Sequence, residues 1–205
     1  MFTKLELNGI EALVHFPENY SDENEYPVFI GISGGEQSPG MVEFSASTYF
    51  NSAFFKNYIS IVPINTNHHN FKDYSPDDVK NFIEGIRDYF NVTNSNWAIA
   101  GVSNGGKAAF NFVAQDPLLF LYVAVFPGGI FENKPNKEWS HLHVVLANGK
   151  KDGHSWLSES ETTYQKLLSV VSSIEIMVIS GQSHIITKEY DINLVYSKLF
   201  QHQLN

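Results

Sequence analysis

Ser103 is the residue of this sequence best placed to make and break a covalent bond. It lies in Gly101-Val102-Ser103-Asn104-Gly105, a G-x-S-x-G pentapeptide after the apolar run 97–100 and before the helical stretch 107–115. A serine at a sharp strand-to-helix turn has strained backbone dihedrals. Glycines two before and two after it remove the Cβ atoms that would collide where strand and helix approach. Such a turn pushes the hydroxyl into the open, where it suits nucleophilic attack on a carbonyl carbon.

A serine hydroxyl is a weak nucleophile at neutral pH unless a base takes its proton during attack. Of the eight histidines, His184 in Gly181-Gln182-Ser183-His184 fits that role. It follows the last apolar run, 174–179, and precedes the final helix, so it belongs to a loop at the C-terminal edge of a strand. The serine turn sits on the same edge, where residues distant in sequence converge in an open parallel sheet. The base needs a carboxylate that fixes its tautomer and stabilises the imidazolium. Asp152, beyond the run 142–147 and beside Gly153, takes that place, with Glu132 as the reserve after the preceding strand. Attack creates an oxyanion that needs two preorganised N–H donors. The amide of Asn104, next after the serine, is one. Gly35 in Ser33-Gly34-Gly35-Glu36 is expected to supply the second, with Gly34 as the alternative.

The elements that must position these residues alternate between strand-length apolar runs and longer helical segments, which implies α/β organisation with a mostly parallel sheet. Asn8-Gly9 splits the runs 2–7 and 11–16 and predicts an antiparallel hairpin at the start. Strands are expected at 27–32, 58–64, 97–100, 120–126, 142–147 and 174–179. Helices are expected at 42–56, from Ser75-Pro76-Asp77-Asp78 to about 90, and at 107–115, 159–171 and 188–199. No repeat or linker divides the 205 residues, so one domain spanning 1–205 is expected.

A net charge of −9 with no Lys/Arg cluster disfavours nucleic acid and anionic lipid as partners and suits a neutral or cationic small molecule. The absence of cysteine excludes disulfides, thiolate metal sites and a cysteine nucleophile. No basic-then-apolar leader or membrane-length apolar run is present, so a cytoplasmic protein without membrane insertion is expected. Residues 101–107 also read G-x-x-x-x-G-K, the phosphate-cradling loop of nucleotide hydrolases. That loop needs a hydroxyl on Mg²⁺ directly after the lysine, where this chain has Ala108, and it closes the first strand of its unit rather than a later one. The pairs His68/His69 and His141/His143, the latter placed on one strand face, show no metal-ligand spacing and read as polar surface, so no metal is expected.

With the serine turn, Asp152, His184 and the Ser-Gly-Gly loop in this order, the chain resembles the α/β-hydrolase superfamily over nearly its whole length. The stretch 101–109, Asp116-Pro117 and Phe126-Pro127-Gly128-Gly129 are similar to its esterase D-like and acyl-thioesterase-like branch. The resemblance implies an α/β-hydrolase fold with an N-terminal antiparallel hairpin, helices on both faces and no lid domain, since 127–140 is too short for a folded cap. It implies a carboxylesterase-like serine hydrolase without cofactor. Thioester or peptide cleavage by the same residues is the alternative, as is a hydrolase-fold binding protein with little turnover. The rim of the site is expected from 36–44, 65–74, 131–139 and 154–156.

Overall fold

The computed structural model describes residues 2–130 and 133–201. The chain begins with two antiparallel strands, β1 (Thr3–Leu7) and β2 (Ile10–His15), joined at Asn8-Gly9. Both turn residues have positive φ, 47° and 80°. A two-residue hairpin of the favoured hand demands that conformation, and Asn-Gly supplies it at least cost. Six strands follow: β3 (Val28–Ile32), β4 (Ile59–Pro63), β5 (Trp97–Gly101), β6 (Phe120–Val125), β7 (His143–Gly149) and β8 (Ser173–Ile179). Among the described residues they form one sheet in the order β1-β2-β4-β3-β5-β6-β7-β8. β2 lies antiparallel to β4, and β3 through β8 run parallel.

Among the described residues five helices cover the sheet: α1 (Pro39–Thr48), α2 (Pro76–Tyr89), α3 (Asn104–Gln115), α4 (His154–Leu167) and α5 (Asn193–Leu199). Side chains alternate along each strand, so every buried strand feeds two cores. Ile30, Ile99, Val123 and Val144 pack with Phe82 of α2, Phe110 of α3 and Leu167 of α4. Phe29, Ala98, Ala100 and Val145 pack on the other face with Val42 of α1 and Val195 of α5. α2 starts where expected, with Ser75 and Asp78 in a reciprocal capping box that satisfies two orphan N–H groups.

The other helices differ from the expected bounds. α1 begins three residues early at Pro39, a residue preset for a first helical turn, and ends at Thr48. Ser52 then caps a separate 3₁₀ turn, Ala53–Phe55. α3 starts directly after Ser103, and α4 starts directly after Gly153 and ends at Leu167. α5 is shorter than expected because the Asp191 carboxylate accepts from the Asn193 amide at 3.0 Å and delays the start. Between β6 and β7 the described residues hold one 3₁₀ turn, Lys137–Trp139, and no lid.

The sheet order reverses at β3, which has β4 on one side and β5 on the other. The connection after β3 leads to one side, to β4, and the connection after β5 to the other, to β6, so a crevice opens beyond the carboxyl ends of these two strands. The Ser33-Gly34-Gly35 loop follows β3 and the serine turn follows β5, so both border that crevice.

Candidate active site

Ser103 has φ 57° and ψ −115°, a positive φ that costs a non-glycine residue about 1–3 kcal/mol. The surroundings enforce it. The Ser103 amide donates to the Pro127 carbonyl at 2.9 Å, and α3 begins at the next residue. A Cβ on Gly105 would collide with the carbonyl of Ile32, and one on Gly101 with the carbonyl of Gly105. The glycines flanking the serine therefore let strand and helix approach closely enough to force the turn.

His184 and Asp152 meet because β7 and β8 are parallel neighbours, with Gly149 opposite Ile179. The loops beyond them are stitched together: Lys150 N–H donates to Ile179 O and Lys151 N–H to Gln182 O, both at 2.8 Å. His184 Nε2 lies 3.0 Å from Ser103 Oγ, and its Nδ1 lies 3.0 and 3.2 Å from the two Asp152 oxygens. An ionised carboxylate can only accept, so Nδ1 carries the proton and Nε2 is left to accept from the serine hydroxyl. The Asp152 side chain is 1% exposed and His184 is 36% exposed, so the acid is enclosed while the imidazole reaches solvent. Asp152 Oδ1 also accepts from the Gly153 amide at 2.7 Å, which fixes the carboxylate plane.

Trp156, on the first turn of α4, packs against the imidazole with ring centroids 4.9 Å apart. Tyr49, just past α1, accepts from the Ile186 amide at 2.9 Å and so ties the histidine loop to the end of α1 within one core. Burial pushes the Tyr49 phenol up to about 12, which keeps it protonated. Tyr49→Phe should leave a buried N–H unpaired two residues from His184. It is expected to cost about 1–3 kcal/mol of stability, read as a lowered thermal midpoint.

The loop after β3 presents its amides and binds its carbonyls. Among the described residues, none accepts from the Gly34 or Gly35 N–H, nor from that of Asn104. Gly35 has φ 59°, a conformation that favours glycine. Ser33 is buried and hydrogen-bonds the Met41 carbonyl at 2.9 Å and the Ser45 hydroxyl at 2.8 Å. It fastens α1 to the loop.

These groups open onto a cleft of about 390 Å³ lined by Gly34, Gly35, Ser103 and His184 with apolar walls of Met41, Phe44, Tyr49, Val102 and Ile185. Of the segments expected at the rim, 36–44 supplies walls. Residues 65–74 instead stand behind the Gly-Gly loop, and Trp139 is buried against Phe110 rather than at the rim. Glu132 lies outside the described residues. Sequence reading did not single out Tyr49, which lay in the expected helix 42–56, nor Gln37 and Asn70, which lay in the expected rim segments 36–44 and 65–74 with no signal setting them apart from their neighbours.

The nucleotide-loop reading finds Lys107 beside Glu159 at 3.7 Å and over the Trp156 ring at 5.0 Å, with its turn closing the fifth strand in chain order. His141 and His143 do not share a strand face. His141 precedes β7 and contacts the Phe120 carbonyl at 2.9 Å, while His143 contacts Ser173 at 2.7 Å, so both are half-buried hydrogen-bonding groups rather than open surface. Among the described residues no three His, Asp or Glu side chains gather as metal ligands. No helix of the described residues is long and apolar enough to cross a membrane.

No family model and no curated protein matches the sequence. Solved structures do match in fold. A thermostable esterase superposes with TM-score 0.68 at 14% identity, covering 87% of this chain, which spans 54% of the esterase. A phospholipase/carboxylesterase from Dyadobacter fermentans gives TM-score 0.64 at 14% identity, covering 98% of this chain and 99% of the other. A ferulic acid esterase from the anaerobic fungus Anaeromyces mucronatus gives 0.65 at 13% identity, covering 98% and 88%. Together with the sheet order, these likenesses establish the α/β-hydrolase fold.

Proposed function

We propose that this chain is a serine hydrolase that cleaves carboxylic esters through an acyl-enzyme on Ser103. The observation that carries the reading is the continuous hydrogen-bond chain from Asp152 through both nitrogens of His184 to Ser103, at the mouth of an apolar cleft. In the first half-reaction His184 Nε2 takes the hydroxyl proton as Ser103 Oγ attacks the ester carbon. Asp152 holds the resulting imidazolium in place. The amides of Asn104 and Gly35 receive the oxyanion, Gly34 being the alternative donor, and they work without reorganisation because they are already oriented. His184 then protonates the departing alcohol oxygen. In the second half-reaction it deprotonates water, which attacks the acyl carbon and returns the serine.

Among the described residues no Asp, Glu, Lys or Arg side chain lines the cleft, which suits an uncharged, apolar group. The fold likeness to proteins named as esterases supports a carboxylesterase-like activity, with a thioesterase or peptidase using the same residues as the alternative. A hydrolase-fold receptor would need no serine held at positive φ against a histidine. The further proposals are one domain over 1–205 and a small-molecule ester as partner.

The test is covalent labelling with a fluorophosphonate probe and mass mapping of the modified peptide. Labelling is expected at Ser103 and is expected to fall by at least about 100-fold in His184→Ala, since general-base assistance is worth that much or more. Folded protein that takes up no probe at Ser103 would remove the reading.

A further inference from the structure

Every carbonyl of the loop beside the cleft accepts a hydrogen bond. Ser33 O accepts from Gln37 Nε2 at 3.3 Å, and Gly34 O from the Gln37 amide at 3.2 Å. Glu36 O accepts from Asn65 Nδ2 at 3.0 Å and Gln37 O from the Asn65 amide at 2.9 Å. Gly35 O is the most heavily held, taking Gln37 Nε2 at 3.0 Å, Asn70 Nδ2 at 3.0 Å and Asn104 Nδ2 at 3.2 Å.

We infer that the side-chain amides of Gln37, Asn70 and Asn104 form a brace that keeps the Gly35 N–H aimed at the oxyanion, an assignment that rests on the proposed acyl transfer. The two peptide units that meet at the Gly35 Cα are each held by their carbonyl. In a trans peptide the N–H points opposite to the C=O, so holding Gly34 O against Gln37 directs the Gly35 N–H the other way. The second unit, held by three donors, stops Gly35 from rotating about its own bonds. A Gly-Gly segment has the greatest backbone freedom of any dipeptide, and a flipped peptide would present a carbonyl to the developing negative charge.

Each member of the brace is itself fixed. Gln37 is fully buried, and its Oε1 accepts from the Phe71 amide at 3.4 Å. Asn70 Oδ1 accepts from the Lys72 amide at 3.1 Å and caps the 3₁₀ turn Phe71–Asp73. Asn104 is the residue whose backbone N–H is the other proposed donor, so its side chain links the serine turn directly to the Gly-Gly loop. The two donors then move as one body. Gln37, Asn70 and the Asn104 side chain are positioning groups, acting on the oxyanion through the Gly35 peptide.

Asn104→Ala and Asn70→Ser, alone and combined, test this. Alanine suits the first turn of α3, and serine at 70 keeps a capping oxygen while losing the donor to Gly35 O. Each single change is expected to lower kcat for a p-nitrophenyl ester by about 3- to 10-fold, with KM within about twofold. The double variant is expected to lose more than the product of the two single losses, because each remaining donor compensates for the other. Values of kcat within about twofold of wild type in all three proteins would overturn the brace while leaving the hydrolase reading intact. A rise in KM that accounts for the whole loss of kcat/KM would also overturn it, by assigning the residues to ground-state binding. A wild-type protein that turns over no ester in a chain-length series would instead remove the hydrolase reading, and this assignment with it.

Discussion

Ser103→Ala is expected to lower kcat for p-nitrophenyl esters by about 10⁴- to 10⁶-fold, leaving a folded protein with a near-wild-type thermal midpoint. The substitution removes one oxygen atom and no packing contact of size. Alanine keeps the Cβ, and the turn that holds φ at 57° is set by Gly101, Gly105 and the bond to Pro127 O rather than by the hydroxyl. What remains is the residual rate that oriented amides and the cleft give to attack by water. Steady-state kinetics beside a thermal melt measures this. Turnover retained at a tenth of wild type or more would exclude an acyl-enzyme on Ser103.

Asp152→Asn should cost about 10⁴-fold in kcat, because a neutral carboxamide no longer stabilises the imidazolium and its NH₂ competes with the Nδ1 proton that sets the tautomer. The Gly153 amide donates to Oδ1 at 2.7 Å, so the carboxamide places its oxygen there, 3.0 Å from His184 Nδ1, and its NH₂ at the Oδ2 position, 3.2 Å from the same nitrogen. Where the NH₂ donates to Nδ1, the ring proton moves to Nε2 and faces Ser103 with no lone pair to receive its proton; where Nδ1 keeps its proton on the amide oxygen, the imidazolium loses the carboxylate charge that stabilises it. The side chain is 1% exposed, so water gives little relief. The matched control is Glu132→Gln, expected to lower the rate less. A larger loss there than from Asp152→Asn would transfer the role of the acid.

Much of this could be read along the chain because the signals are local. Asn8-Gly9 supplies the two positive φ values of a hairpin turn, and Ser75 with Asp78 starts α2 wherever the helix packs. The order of serine, aspartate and histidine after apolar runs placed all three at one sheet edge, since parallel strands end together. Helix bounds were less legible. The start of α1 at Pro39 and the late start of α5 after the Asp191 turn rest on single residues that carry no periodicity.

The sequence alone determined the runs that form strands, the hairpin and the strained serine turn, because each depends on nearest neighbours and on alternation of apolar side chains, and it named Ser103, Asp152 and His184 because parallel strands end at one edge. Only the tertiary structure decided which wall of the cleft is apolar, what Tyr49 and Trp156 press against, and where the carbonyl of Gly35 goes. Asn70 and Asn104 lie 35 and 69 residues from Gly35. A side-chain amide in a loop has the same local signature whether it faces water or pins a distant peptide, and folding alone brings the two ends of such a bond together.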